Sequence, residues 1–258
     1  MSLFIEGRTF SFIVILISFA TFYYMIQRAK RGEKLFIRKL AGLDAMTEMV
    51  GRAVETNRPV FFCSGTTGTL SSSLAPQLLA GVSALTHLSK LTAQNGARLI
   101  VAESHPDLLP MIDAVVKTNY DINGLEVPPD TVQYIPTGTS FTIAAGSIIK
   151  RENAAASVLI GPFSHASVFL AQCAAEVGAL QVAGTARTLQ IPFFAAICDY
   201  CLIAEDIYVI DAYVSRRPES VGSIVGEDPL KIAAGILCVL VAILATLNIS
   251  WLTDLLSL

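Results

Sequence analysis

The sequence predicts an α/β chain in which a mainly parallel sheet lies between layers of helix, flanked by two transmembrane helices. Three observations carry that prediction. Short apolar runs rich in Val, Ile and Leu alternate with longer amphipathic runs through the middle of the chain. Two uncharged apolar stretches, 10–26 and 232–251, bracket that middle. Basic residues gather on the inner flank of each stretch.

The elements follow in order. Residues 1–9 read as an external N-terminus and 10–27 as the first transmembrane helix, interrupted by Ser11, Ser18, Thr21 and two tyrosines. Its length approaches the roughly 20 apolar residues that cross a hydrocarbon core of about 30 Å. Arg28, Lys30, Arg31, Lys34, Arg38 and Lys39 follow it, against Arg8 alone before it, so 28–41 reads as a basic juxtamembrane segment. The leader is not basic and shows no small-x-small cleavage site, which predicts an uncleaved anchor.

Residues 42–56 repeat apolar side chains at helical spacing (Leu43, Met46, Met49, Val50, Ala53). Strands are expected at 58–62, 98–102, 131–135, 156–160 and 179–183. Helices are expected between them at 74–92, 108–118, 140–151 and 166–177, and one long helix at about 192–214 closes a domain of 42–215. Asn95-Gly96 and Pro128-Pro129-Asp130 supply the breaks. The Gly, Ser and Pro of 216–230 read as a linker. Residues 231–251 form the second span, with Thr246, Asn248 and Ser250 near its far end, and 252–258 an external C-terminus.

Five strand–helix alternations imply right-handed crossovers and a five-stranded, doubly wound sheet of the Rossmann-like or flavodoxin-like kind. Arg216, Arg217 and Lys231 precede the second span and no Lys or Arg follows it. Both basic flanks therefore face the central domain. The positive-inside rule predicts a two-pass cell-membrane protein with that domain cytoplasmic and both termini outside. Tyr23, Tyr24 and Trp251 suit interfacial positions.

Composition narrows the function. A net charge of −3 gives no basic field for nucleic acid. Five cysteines, an odd number without framework spacing, fit a reducing compartment. His87, His105 and His165 lack metal-ligand spacing, so no metal is expected. No cofactor fingerprint or catalytic signature is present: the glycines match neither dinucleotide nor phosphate-loop spacing, and there is no G-x-S-x-G elbow.

Ligands of such sheets bind beyond the carboxyl ends of the strands. The residues there are Ser64, Gly65, Thr66, Thr67 and Gly68; Glu103 and His105; Thr137 and Thr139; Ser164 and His165; Thr185 and Arg187. Backbone amides, hydroxyls and helix N-termini at that edge could accept a phosphate or carboxylate, with Arg187 as a cation and a histidine for proton transfer. Equally, Ser, Thr and Gly are ordinary caps at helix starts. Cys198 and Cys201 have C-x-x-C spacing, but they fall inside the expected long helix, where packing accounts for them.

The stretch Gly42-Leu43-Asp44-Ala45-Met46-Thr47-Glu48-Met49-Val50-Gly51-Arg52-Ala53-Val54-Glu55 with Arg58-Pro59-Val60, the segments 181–185 and 204–215, and Gly222-Ser223 with Gly226-Glu227-Asp228 resemble a family of uncharacterised prokaryotic membrane proteins. That family is defined by a domain of unknown function between membrane helices. The resemblance covers about residues 42–231 and implies that domain and second span form one unit. It implies no activity, cofactor or site residue. The expected function is a non-enzymatic, membrane-anchored homo-oligomeric scaffold, with the lipid bilayer, copies of itself and other membrane proteins as partners. The alternative is a small-molecule or nucleotide-binding domain, enzymatic or not, using the sheet edge.

Overall fold

The computed structural model describes residues 9–33, 35 and 39–246. The chain divides into two compact units, Met1–Arg38 with Ser215–Leu258, and Lys39–Val214.

The second unit opens on α2 (Ala41–Thr56) and then alternates strictly: β1 (Val60–Cys63), α3 (Ala75–Asn95), β2 (Leu99–Glu103), α4 (Leu109–Ile122), β3 (Val132–Tyr134), α5 (Thr139–Arg151), β4 (Ala156–Ile160), α6 (Ala166–Glu176), β5 (Leu180–Thr185), α7 (Ile191–Ile197), β6 (Tyr200–Ile203) and α8 (Asp206–Ser215). The strands form one sheet in the order β3-β2-β1-β4-β5-β6. Every pairing is parallel; Val60, for example, lies opposite Leu99 on one side and Ala156 on the other. The chain thus winds outward from β1 to β3, crosses back beside β1, and winds outward again from β4 to β6.

Strands β1, β2 and β4 are wholly buried, as continuous apolar runs must be when helices cover both faces. One core joins Phe61, Ile100 and Leu159 of the sheet to Phe141, Ile149, Leu170 and Phe194 of the helices. Phe163 and Phe194 meet edge to face, with ring centroids 5.3 Å apart. Away from the carboxyl edge, Arg58 clamps the start of β1. Its Nη2 donates to Asn153 Oδ1 (2.9 Å) and to the carbonyls of Ala154 (3.0 Å) and Val177 (2.8 Å).

Two expectations need correction. The sheet has six strands, because 192–214 is not one helix but α7, β6 and α8. Cys198 is already extended (φ −89°, ψ 148°), and the Asp199 carboxylate accepts the Gln181 N–H (2.8 Å). The aromatic and aliphatic run Tyr200-Cys201-Leu202-Ile203 then pairs with β5. Ala204 turns in the left-handed region (φ 50°), and the Asp206 carboxylate accepts the Ile203 N–H (3.2 Å). Apolar spacing over so few residues fits strand and helix alike, and pairing to a sheet edge decides it.

The second correction concerns 216–230, expected as a linker. It belongs to a continuous helix, α9 (Pro218–Thr246), which contains Pro229. In the first unit α9 packs against α1 (Thr9–Lys30). A Cβ on Gly222 would lie 2.6 Å from Ile26 Cα, and one on Gly226 would lie 3.0 Å from Phe22 Cδ1. Lys30 Nζ sits 3.1 Å from Glu219 Oε1. These pairs run in opposite chain directions, so α1 and α9 are antiparallel. The glycines serve close helix approach, which their composition alone disguises as flexibility.

Among the described residues one helix, Ser11–Lys30, is long and apolar enough to cross a membrane. The inner part of the second expected span, 232–246, is helical. Its remainder, 247–251, and the expected external segments 1–8 and 252–258 lie outside the described residues.

Candidate functional site

A parallel sheet brings all its strand ends to one edge, and in open sheets of this order the crevice opens where the winding reverses, between β1 and β4. Here that crevice is closed. The N–H groups of Thr66 and Thr67 both donate to the Pro162 carbonyl (2.9 and 3.3 Å). Gly161 approaches so closely that a Cβ on it would lie 1.8 Å from the Ser64 carbonyl oxygen, and its φ of +148° suits glycine alone. The opening lies on the other side of β1, among the loops that follow β1, β2 and β3. It is a cleft of about 600 Å³ lined by Thr66, Thr67, Gly68, Thr69, Ser71, Ser104, His105, Pro106, Asp107 and Thr137.

Behind its wall stands Glu103, the last residue of β2, fully buried. Its Oε1 accepts the N–H groups of Ser104 and His105 (2.8 Å each) and the Nδ1 of His105 (2.8 Å). The Ser64 hydroxyl donates to Oε2. Four donors compensate this fully buried carboxylate. The same network assigns the His105 tautomer. Nδ1 carries the proton toward Glu103, so in the neutral imidazole Nε2 is the acceptor.

That Nε2 has no partner among the described residues, although the residue is only 4% exposed and lines the cleft. Thr66 Oγ1, on the facing loop, is also buried without a partner. Buried polar atoms are nearly always satisfied; among the described residues four are not, and two of these, on Thr66 and His105, belong to residues that line this one cleft. Ser64 is fully buried and does not line the cleft, so its hydroxyl serves the carboxylate rather than a ligand. The pair Glu103–His105 orients one imidazole nitrogen that can take a hydrogen bond or a proton from whatever fills the cleft.

The structure gathers Ser64, Gly65, Thr66, Thr67, Gly68, Glu103, His105 and Thr137 around this cleft, Thr137 donating to the Thr66 carbonyl (3.3 Å). It does not bring in the others. Thr139 is the first residue of α5 and exposed. Ser164 and His165 touch only each other among the expected hydrolase groups (Oγ to Nδ1, 3.3 Å). The Ser164 carbonyl accepts the Ser167 hydroxyl (2.9 Å) at the start of α6, and Thr185 Oγ1 accepts the Arg187 N–H (3.2 Å). Both are local loop contacts, and neither is a side-chain cap of α6 or α7.

Asp107 and Ser71 line the cleft without having been singled out from the sequence. Asp107 Oδ2 accepts the Leu70 N–H (2.8 Å), clasping the first loop to the second. The readable signal was Pro106-Asp107, a turn-forming pair directly after a strand end. Cys198 and Cys201 stand at the entry to β6 rather than at a helix start. Burial pushes the Cys198 thiol up to about 12 and raises that of Cys201, so both stay protonated and pack. Among the described residues no three His, Cys, Asp or Glu side chains converge as a metal site would require.

Over residues 1–256 the chain matches a family described as a domain of unknown function (DUF6754), and it belongs to that family. No curated protein matches it, and no solved structure does.

Proposed function

We propose that this member of the DUF6754 family is a membrane-anchored protein whose Rossmann-like α/β unit binds a small molecule in the cleft beside β1, β2 and β3. The observation that carries this reading is the vacant, buried Nε2 of His105, held in place by fully buried Glu103. A fixed acceptor facing a polar cleft is what a ligand site requires and what a merely capped loop does not.

Several features support the anchoring. Helix α1 is apolar, with Phe19, Tyr23 and Tyr24 exposed, and so is the far part of α9, with Ile232, Ile236 and Val239 exposed. Contiguous apolar surface of this kind suits lipid. The antiparallel pairing puts Lys30 and Glu219 at the same end of the helix pair, in keeping with a two-pass path whose basic flanks face the cytoplasm. A thermal-shift screen of small molecules on detergent-solubilised protein tests the site. A ligand that stabilises the wild type but not His105→Phe is the expected result. Stabilisation equal in both would refute it.

A second reading, the homo-oligomeric scaffold, has its own support. β6 is an edge strand with Ile203 exposed, and Leu189 and Phe193, before and within α7, are exposed as well. Exposed edges and apolar patches favour lateral contact. Native mass spectrometry in mild detergent should show more than one copy; a monomer alone would end this reading.

A further inference from the structure

We infer that the cleft takes an uncharged, hydroxyl-bearing ligand of the polyol or sugar type, and not a phosphate ester. The inference rests on the cleft being a ligand site.

The loop Ser64-Gly65-Thr66-Thr67-Gly68-Thr69 has the composition of a phosphate cradle. Such a cradle works through free backbone N–H groups converging on the anion. Here four such groups are engaged inside the protein. Thr66 and Thr67 donate to the Pro162 carbonyl. Thr69 donates to the Ser72 hydroxyl (3.1 Å), and Leu70 to the Asp107 carboxylate (2.8 Å). No lysine or arginine is among the described residues lining the cleft. Two carboxylates adjoin it instead, Asp107 in the wall and Glu103 behind it. A phosphate placed there would meet the Asp107 carboxylate with no lysine or arginine of the lining to offset it.

What remains for a ligand is neutral. Thr67, Thr69 and Ser71 contribute hydroxyls, which both donate and accept, and Thr137, whose proton goes to the Thr66 carbonyl, can accept. Thr66 Oγ1 is vacant, and His105 Nε2 is an acceptor that needs a donor. A molecule carrying several O–H groups satisfies that set: one O–H donates to Nε2, and a neighbouring oxygen accepts from Thr66. The phosphate group of an ester brings acceptors almost exclusively at neutral pH, so it cannot itself serve as the donor to Nε2.

The test uses full-length protein in detergent and isothermal titration calorimetry. The probes are neutral polyols (myo-inositol, glucose and ribose), with ribose 5-phosphate and inorganic phosphate as charged counterparts. At least one polyol should bind, with ribose tighter than ribose 5-phosphate if ribose is that polyol. Loss of one buried hydrogen bond in Thr66→Val or in His105→Phe should weaken it about tenfold. Thr66→Val keeps side-chain shape, so it stays informative if the histidine variant folds poorly. Tighter binding of a phosphate probe, weakened by the same substitutions, would overturn the ligand class while leaving the site in place. Binding that neither substitution changes would overturn both. Failure of every polyol to bind overturns the class, and the small-molecule screen then decides the site separately.

Discussion

Glu103 is buried where a carboxylate is most costly, and four donors converge on it. Replacing it by alanine leaves those donors facing a void. Glu103→Ala should lose about 3–5 kcal/mol of stability, whereas Glu103→Gln, which still accepts, should lose about 1–2 kcal/mol. Chemical denaturation reads both, and the reverse order would refute the network as drawn. His87 gives a pH prediction of a different kind. Burial, with help from Lys90, holds its imidazole below the ordinary value. The unfolded chain therefore binds the proton more readily than the folded one. The His87 contribution is fully present above about pH 6.5 and is lost as pH falls through the folded value. Denaturation midpoints of wild type should drop across that range, and His87→Gln should flatten the drop. At this scale the sequence identified the strand-end residues well, since strand ends are local features. It could not tell that Thr66 and Thr67 point their amides at Pro162, or that Ser64 serves Glu103, because those partners lie far along the chain.

Each strand read from the sequence before residue 192 overlaps one in the structure, because continuous apolar runs bounded by turn residues are a strong local signal. The errors came where a short run's fate depends on a distant neighbour. Tyr200-Cys201-Leu202-Ile203 becomes β6 only because β5 offers an unpaired edge. Gly222 and Gly226 look like breaks until α1 lies against them. Close approach of α9 to α1 predicts a graded result. Gly222→Leu and Gly226→Leu should each destabilise the helix pair by about 1–3 kcal/mol, seen as a lower melting temperature in detergent. Gly235→Leu, at a position where an added Cβ meets nothing within 4 Å, should change little. Equal effects at all three would remove the case for close packing.

For the whole molecule, the proposed two-pass path makes a direct prediction. A cysteine introduced at Gly124, in a background lacking Cys238, should resist a membrane-impermeant thiol reagent in intact cells and react after permeabilisation. Reaction in intact cells would reverse the orientation. The division of the chain also predicts that residues 39–214, expressed alone, unfold cooperatively, since its contacts close within that unit. Parallel alternation was legible from the sequence, and so were the loops at the carboxyl ends of the first five strands. Strand order was not, and strand order together with the Gly161–Ser64 contact is what moved the cleft from the β1–β4 crevice to the far side of β1.

The antiparallel pairing of α1 with α9 also has a consequence in time. The ribosome makes α1 first, then the entire α/β unit, and only afterwards the glycine-bearing face that α1 packs against. At ordinary elongation rates α1 waits roughly ten to forty seconds for that partner, an interval long enough for the α/β unit to fold while still attached to the ribosome. A slow or aggregation-prone α/β unit would therefore be felt as a defect in joining the two helices, although no residue of either helix had changed.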